Sequence, residues 1–91
     1  MKFPVFRKYP NNKSYFKVLN NDSFEEVTIA ARSYSIRTFH AQIHPDRMMI
    51  SDMISLHGGH WVEISEQEYV NFVSHCEQEY KKTGWSDSMI S

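Results

Sequence analysis

Hydrophobic and polar positions alternate by twos through the first half of this chain and by threes and fours near its end. In residues 24–31, Val27, Ile29 and Ala31 share one face while Glu26, Thr28 and Ala30 share the other, the period of a half-buried strand. Tyr15-Phe16-Lys17-Val18-Leu19 alternates well enough to pair back on the aromatic and β-branched stretch at residues 3–9. Pro4 lacks a backbone donor, so it belongs at the start of that first strand or on a sheet edge. Turn-tolerant residues separate the runs, at Pro10-Asn11-Asn12-Lys13-Ser14 and at Asn20-Asn21-Asp22-Ser23. After a weakly marked reversal at residues 32–35, residues 37–44 repeat the alternation. Phe39, Ala41 and Ile43 then point inward, and Thr38, His40, Gln42 and His44 outward. The same segment also fits a helical stripe through Ile36, Phe39, His40 and Ile43, and pattern alone leaves both readings open.

Pro45 ends what precedes it. Asp46 can then cap a short helix carrying Met48, Met49, Ile50, Met53 and Ile54 and closed by Gly58-Gly59, with a methionine-rich strand pair as the competing reading. Residues 60–64 read as a last strand feeding straight into the strongest helical signal of the chain, residues 65–81. There Tyr69, Phe72, Val73, Cys76 and Tyr80 fall on one stripe at 3.6 residues per turn, and Gln67, Asn71, Ser74, His75 and Gln78 fall opposite. Ser65 followed three residues later by Glu68 has the form of a capping box. A lone helix of this length is marginal in water, so its apolar stripe must be buried on the preceding strands. The expected fold is α+β: an antiparallel meander of four to five strands, packed on one face by the C-terminal amphipathic helix, with a short helix after residue 46. Residues 1–82 form one domain in this reading. Residues 83–91, with Trp85 among them, lack periodicity and are expected to be a disordered C-terminal tail.

Charge narrows the partners. Among 91 residues the net charge is −1 and no run of Lys or Arg exceeds two, so neither a nucleic acid nor a membrane surface is expected as a ligand. Cys76 is the only cysteine and sits on the apolar stripe, where a free thiol packs as a small hydrophobe in a reducing compartment. With only four apolar residues ahead of Arg7 and Lys8, the N-terminus offers no signal-peptide core, and a cytoplasmic location is expected.

Three constellations have residue types that can carry chemistry. His44-Pro45-Asp46 is similar to the tripeptide that J-domain co-chaperones place between two antiparallel helices, and the resemblance implies a chaperone partner and a basic helix before it. Here that segment, residues 36–43, carries one cation, Arg37. The histidines at 40, 44, 57 and 60, with Asp46 or Asp52, have the ligand types of a zinc site. On a strand, however, His40 and His44 would lie about 13 Å apart. His57 and His60, which flank Gly58-Gly59, are the pair that could converge, although an ordinary glycine turn explains them equally well. Catalytic signals are poorer: there is no phosphate loop or nucleophile elbow, and Cys76 lacks a designated base. Glu25 and Glu26 point to opposite faces of a strand, while Glu66 and Glu68 offset a helix dipole.

The expected role is therefore a non-enzymatic interaction or structural module without cofactor. It would bind a protein partner or a second copy through an outer sheet face carrying Thr38, His40, Gln42 and Trp61. A small-ligand or metal-binding domain built on the histidines is the alternative.

Overall fold

In the computed structural model, which describes residues 3–82, the alternating half of the chain forms a meander. Its strands are β1 (Val5–Lys8), β2 (Ser14–Asn20), β3 (Ser23–Ala30) and β4 (Ser33–His40). The helix α1 (His44–Ser55) follows, then a 3-10 turn (His57–Gly59), β5 (Val62–Ile64), α2 (Glu66–Glu79) and a two-residue strand β6 (Lys81–Lys82). The sheet order is β5-β1-β2-β3-β4-β6, antiparallel throughout except for the parallel β4–β6 pair. The α+β meander with its C-terminal helix is as expected. The strand expected at residues 60–64 is β5, paired on the outer side of β1, and one addition, β6 on the outer side of β4, makes six strands. The expected tail at residues 83–91 lies outside the described residues.

The pairing registers divide the side chains between two faces. Phe6, Tyr15, Val27, Ile36 and Ile64 share one face: Ile64 stands opposite Phe6, Val27 opposite Tyr15 and Ile36 opposite Val27, while Tyr15 lies two residues along β2 from Lys17, the partner of Phe6. Val5, Phe16, Val18, Phe24 and Phe39 alternate onto the other. On the first face, α2 buries Tyr69 and Cys76 against Phe6, Tyr15, Val27, Tyr34 and Ile64, with Phe72, Val73 and Tyr80 packed at the margin. On the second, α1 buries Ile50 and Met53 against Phe16, Val18 and Phe24. Each helix covers one half of its own face, and the covered halves lie diagonally opposite.

This corrects the expectation of a single inner face. Phe39 points inward as expected, but Val27 packs under α2 and Phe39 under α1. The reason is that β3 and β4 carry apolar residues in both parities, Phe24 beside Val27 and Phe39 beside Ile36, as strands covered on two sides do.

Capping explains the helix bounds. Ser65 Oγ accepts from the Glu68 N–H at 3.1 Å, and the Glu68 carboxylate lies 3.6 Å from Lys8 Nζ on β1. Helix α1 begins two residues earlier than its sequence cue. Ile43 is the capping residue, Pro45 sits in the first turn where no amide donor is needed, and Asp46 Oδ2 reaches back to the Gln42 and Ile43 N–H groups at 2.9 and 3.3 Å. At its other end the left-handed residue is Leu56, φ 61°, and the two glycines follow in the 3-10 turn.

Candidate functional site

The sheet has two free edges, and they differ. At one, β5 presents three residues. At the other, β6 pairs only with Ser33 and Tyr34, so among the described residues β4 has no strand on its outer side from Ser35 to His40. Which main-chain groups face out follows from the ladder. The Ala41 N–H bonds to Asp22 O at 2.7 Å, toward β3, and the Lys81 N–H bonds to Arg32 O at 3.1 Å, on the outer side. Hydrogen-bonding direction alternates along an antiparallel strand, so Phe39 and Arg37 are bonded to β3, while Ile36, Thr38 and His40 turn their N–H and C=O groups outward. These groups form a template for one more strand.

Side chains along this edge line a cavity on each face. On the α2 face a groove of about 390 Å³ runs between the sheet and the helix, with Ile36, Val70 and Val73 as apolar wall. Glu25, Glu66 and Glu77 set carboxylates around it against one ammonium, Lys17, so its charge is net acidic. Val70, a large apolar side chain, is 47% exposed within it. In the groove floor the Tyr69 hydroxyl donates to Glu25 Oε1 at 2.7 Å. Burial, reinforced by the Glu25 hydrogen bond, pushes the Tyr69 phenol far above its ordinary range, so it serves as a fixed donor and not as a base. On the α1 face a smaller cavity of about 290 Å³ is lined by Phe24, Glu26, Arg37, Thr38 and Phe39. Arg37 Nη2 stands 3.7 Å from Glu26 Oε1, whose partner oxygen accepts from Thr28 at 2.8 Å.

The four residues expected at a contact surface are not one patch. Thr38 and His40 are exposed on β4, on the α2 face, with outward main-chain groups. Gln42 lies beyond the strand end, held by its N–H to Asp46. Trp61 precedes β5, at the opposite edge of the sheet, and packs half-buried against the α1 cluster. Its indole N–H is buried and has no hydrogen-bond partner among the described residues. Trp61 thus takes the filler role that a small core often gives a tryptophan. The sequence pattern missed Ile36 and Arg37 as edge residues. The available signal was the pattern of Ser35 to His40, β-branched and polar, followed by a helix start that carries the chain away from the strand.

The remaining candidates have clear places. His57 and His60 are exposed on the 3-10 turn, and among the described residues no three His, Cys, Asp or Glu side chains gather into a group that could hold a metal ion. His44-Pro45-Asp46 opens α1 directly behind a strand, where a J-domain has a helix. Cys76 is fully buried, and that burial pushes its thiol above the ordinary range, which withholds the thiolate a nucleophile needs. Among the described residues no helix is long and apolar enough to cross a membrane. No protein-family model matches the chain, and no curated protein or solved structure matches it significantly.

Proposed function

We propose that this protein is a non-enzymatic interaction module that binds an extended segment of protein chain as an added strand on the edge of β4. The observation that carries this reading is the set of outward main-chain groups at Ile36, Thr38 and His40. Strand addition draws affinity from such main-chain bonds and specificity from pockets that take alternate side chains. The groove beside Ile36 and the cavity beside Arg37 and Phe39 supply one pocket on each face. Balanced charge without a cation cluster favours protein over nucleic acid as the partner, and a single buried thiol suits the cytoplasm.

The test is amide-resolved NMR with a soluble peptide of alternating valine and lysine, whose cations complement the groove. Saturable shifts are expected at Ile36, Thr38 and His40, and they should vanish in Thr38→Pro, which lacks the outward N–H yet keeps an edge position where proline is tolerated. Equal shifts in that variant would overturn the reading.

A further inference from the structure

We infer that the strand added to β4 is β4 of a second copy, an inference that rests on the proposed role of this edge. A two-fold axis normal to the sheet keeps each face continuous, so residues opposite one another must have the same parity. The outward main-chain groups belong to even-numbered residues, which leaves few registers. Setting Ile36 opposite the partner's Thr38 puts Arg37 against its own copy, a like-charge pair. Moving by one pair removes that contact. Thr38 then lies on the axis opposite the partner's Thr38, Ile36 faces the partner's His40, and Arg37 faces the partner's Phe39. In this register every outward group at Ile36, Thr38 and His40 is satisfied, because each opposed pair exchanges two hydrogen bonds. The strand β6 fills the place beside Ser33 and Tyr34 and so ends the pairing at Ile36.

Charge complementarity supports the same register. The partner's His40 comes to stand beside Ile36, at the mouth of the groove ringed by Glu25, Glu66 and Glu77, and an imidazole N–H is a donor to those carboxylates. On the opposite face Arg37, already balanced by Glu26 at 3.7 Å, lies over a phenyl ring. The helices do not obstruct: α1 and α2 each cover half of a face, and the axis carries the copies of each helix away from one another.

Sedimentation equilibrium across a wide concentration range, combined with two variants, tests the inference. The wild-type chain should show a reversible monomer–dimer equilibrium, weakened about tenfold or more in Thr38→Pro, which loses both bonds at the axis. Under mild oxidation Thr38→Cys should form a disulfide-linked dimer, since hydrogen-bonded pairs hold their Cα atoms about 5.5 Å apart, within disulfide reach. Arg37→Cys and the wild-type protein with its buried Cys76 should not. A dimer that ignores Thr38→Pro and leaves Thr38→Cys uncoupled uses another surface, and overturns the inference. So does a monomer at every concentration, and amide exchange then separates two failures. Fast exchange at Thr38 in that monomer removes the second copy alone and leaves the edge open to another protein. Slow exchange means that the edge is filled within one chain, and the strand-addition reading falls with it.

Discussion

The two helices are attached to the sheet by different physics. Helix α2 is held by aromatic area: Phe72 stacks on Tyr15 with ring centroids 3.6 Å apart and an interplanar angle of 12°, and Tyr69 packs on Phe6 at 5.3 Å. Helix α1 packs with aliphatic side chains, Ile50 and Met53 buried and Met49 and Ile54 beside them, and adds a buried cation. Arg7, 5% exposed on β1, sends Nε to Met53 O at 2.8 Å and Nη2 to Ile54 O at 2.9 Å, while Nη1 holds Phe6 O at 2.8 Å. Carbonyls in the last turn of a helix have no partner within it, and the C-terminal end of the dipole favours a cation. Arg7 meets both needs at once. Its burial lowers the guanidinium below its ordinary range, opposed in part by Glu63 opposite it on β5. Each helix buries two side chains, but α2 adds aromatic rings along its stripe, whereas α1 adds hydrogen bonds that fix the position of its end.

Breaking the α1 attachment should have the largest effect. Arg7→Met keeps much of the volume but leaves three carbonyls short of a donor, and should cost about 3 kcal/mol or more in urea unfolding. A loss under about 1 kcal/mol would show that apolar contact alone places α1. On the other side, Phe72→Ala should cost about 2–4 kcal/mol, toward the lower part of the range for phenylalanine because the ring is only half-buried. Asn71→Ala, one position round the helix and exposed, should stay within about 0.5 kcal/mol. Similar losses at both would contradict aromatic area as the source of α2 docking.

A smaller loss than that of Phe72→Ala, and one with a pH signature, is expected for Tyr69→Phe. At neutral pH it removes one hydrogen bond to a carboxylate, about 1–2 kcal/mol. Burial raises the phenols of Tyr15, Tyr34 and Tyr69, all in the α2 cluster. A raised phenol keeps its proton more tightly in the folded state. Its contribution is therefore complete below about pH 10, the ordinary tyrosine range, and is lost as the pH rises toward the folded value. Stability should fall on the alkaline side, and Tyr69→Phe should flatten that fall. An unchanged alkaline profile in the variant would assign the loss to other groups.

Much of the α2 side was legible in the sequence. The stripe through Tyr69, Phe72, Val73, Cys76 and Tyr80 and the serine cap at residue 65 are local signals, and both are found in the structure. The α1 side was harder because its determinants are distant in sequence. Arg7 and Met53 are 46 positions apart, and an arginine in a short N-terminal strand reads as a surface charge. The same limit scattered the candidate site. Parity within β4 placed Thr38 and His40 together correctly, but Trp61 was joined to them on alternation alone. Which strand pairs outside β1 is decided by long-range closure, and it put Trp61 at the far edge.

The diagonal placement of the helices also governs the order in which the chain can be assembled. From β4 the backbone crosses one face as α1, turns at the far edge through β5, and returns across the other face as α2 to reach β4 again at β6. It makes a full circuit around its own meander. The hairpins inside that circuit join near neighbours, such as Tyr15 with Val27, whereas the clasp joins Phe6 to Ile64. Closing long loops before short ones is entropically unfavourable, so the girdle is expected to fasten last, around a sheet already formed. In kinetic terms, Val27→Ala should slow folding, while Ile64→Val should chiefly speed unfolding. The opposite partition would mean that the belt forms first and the sheet is gathered inside it.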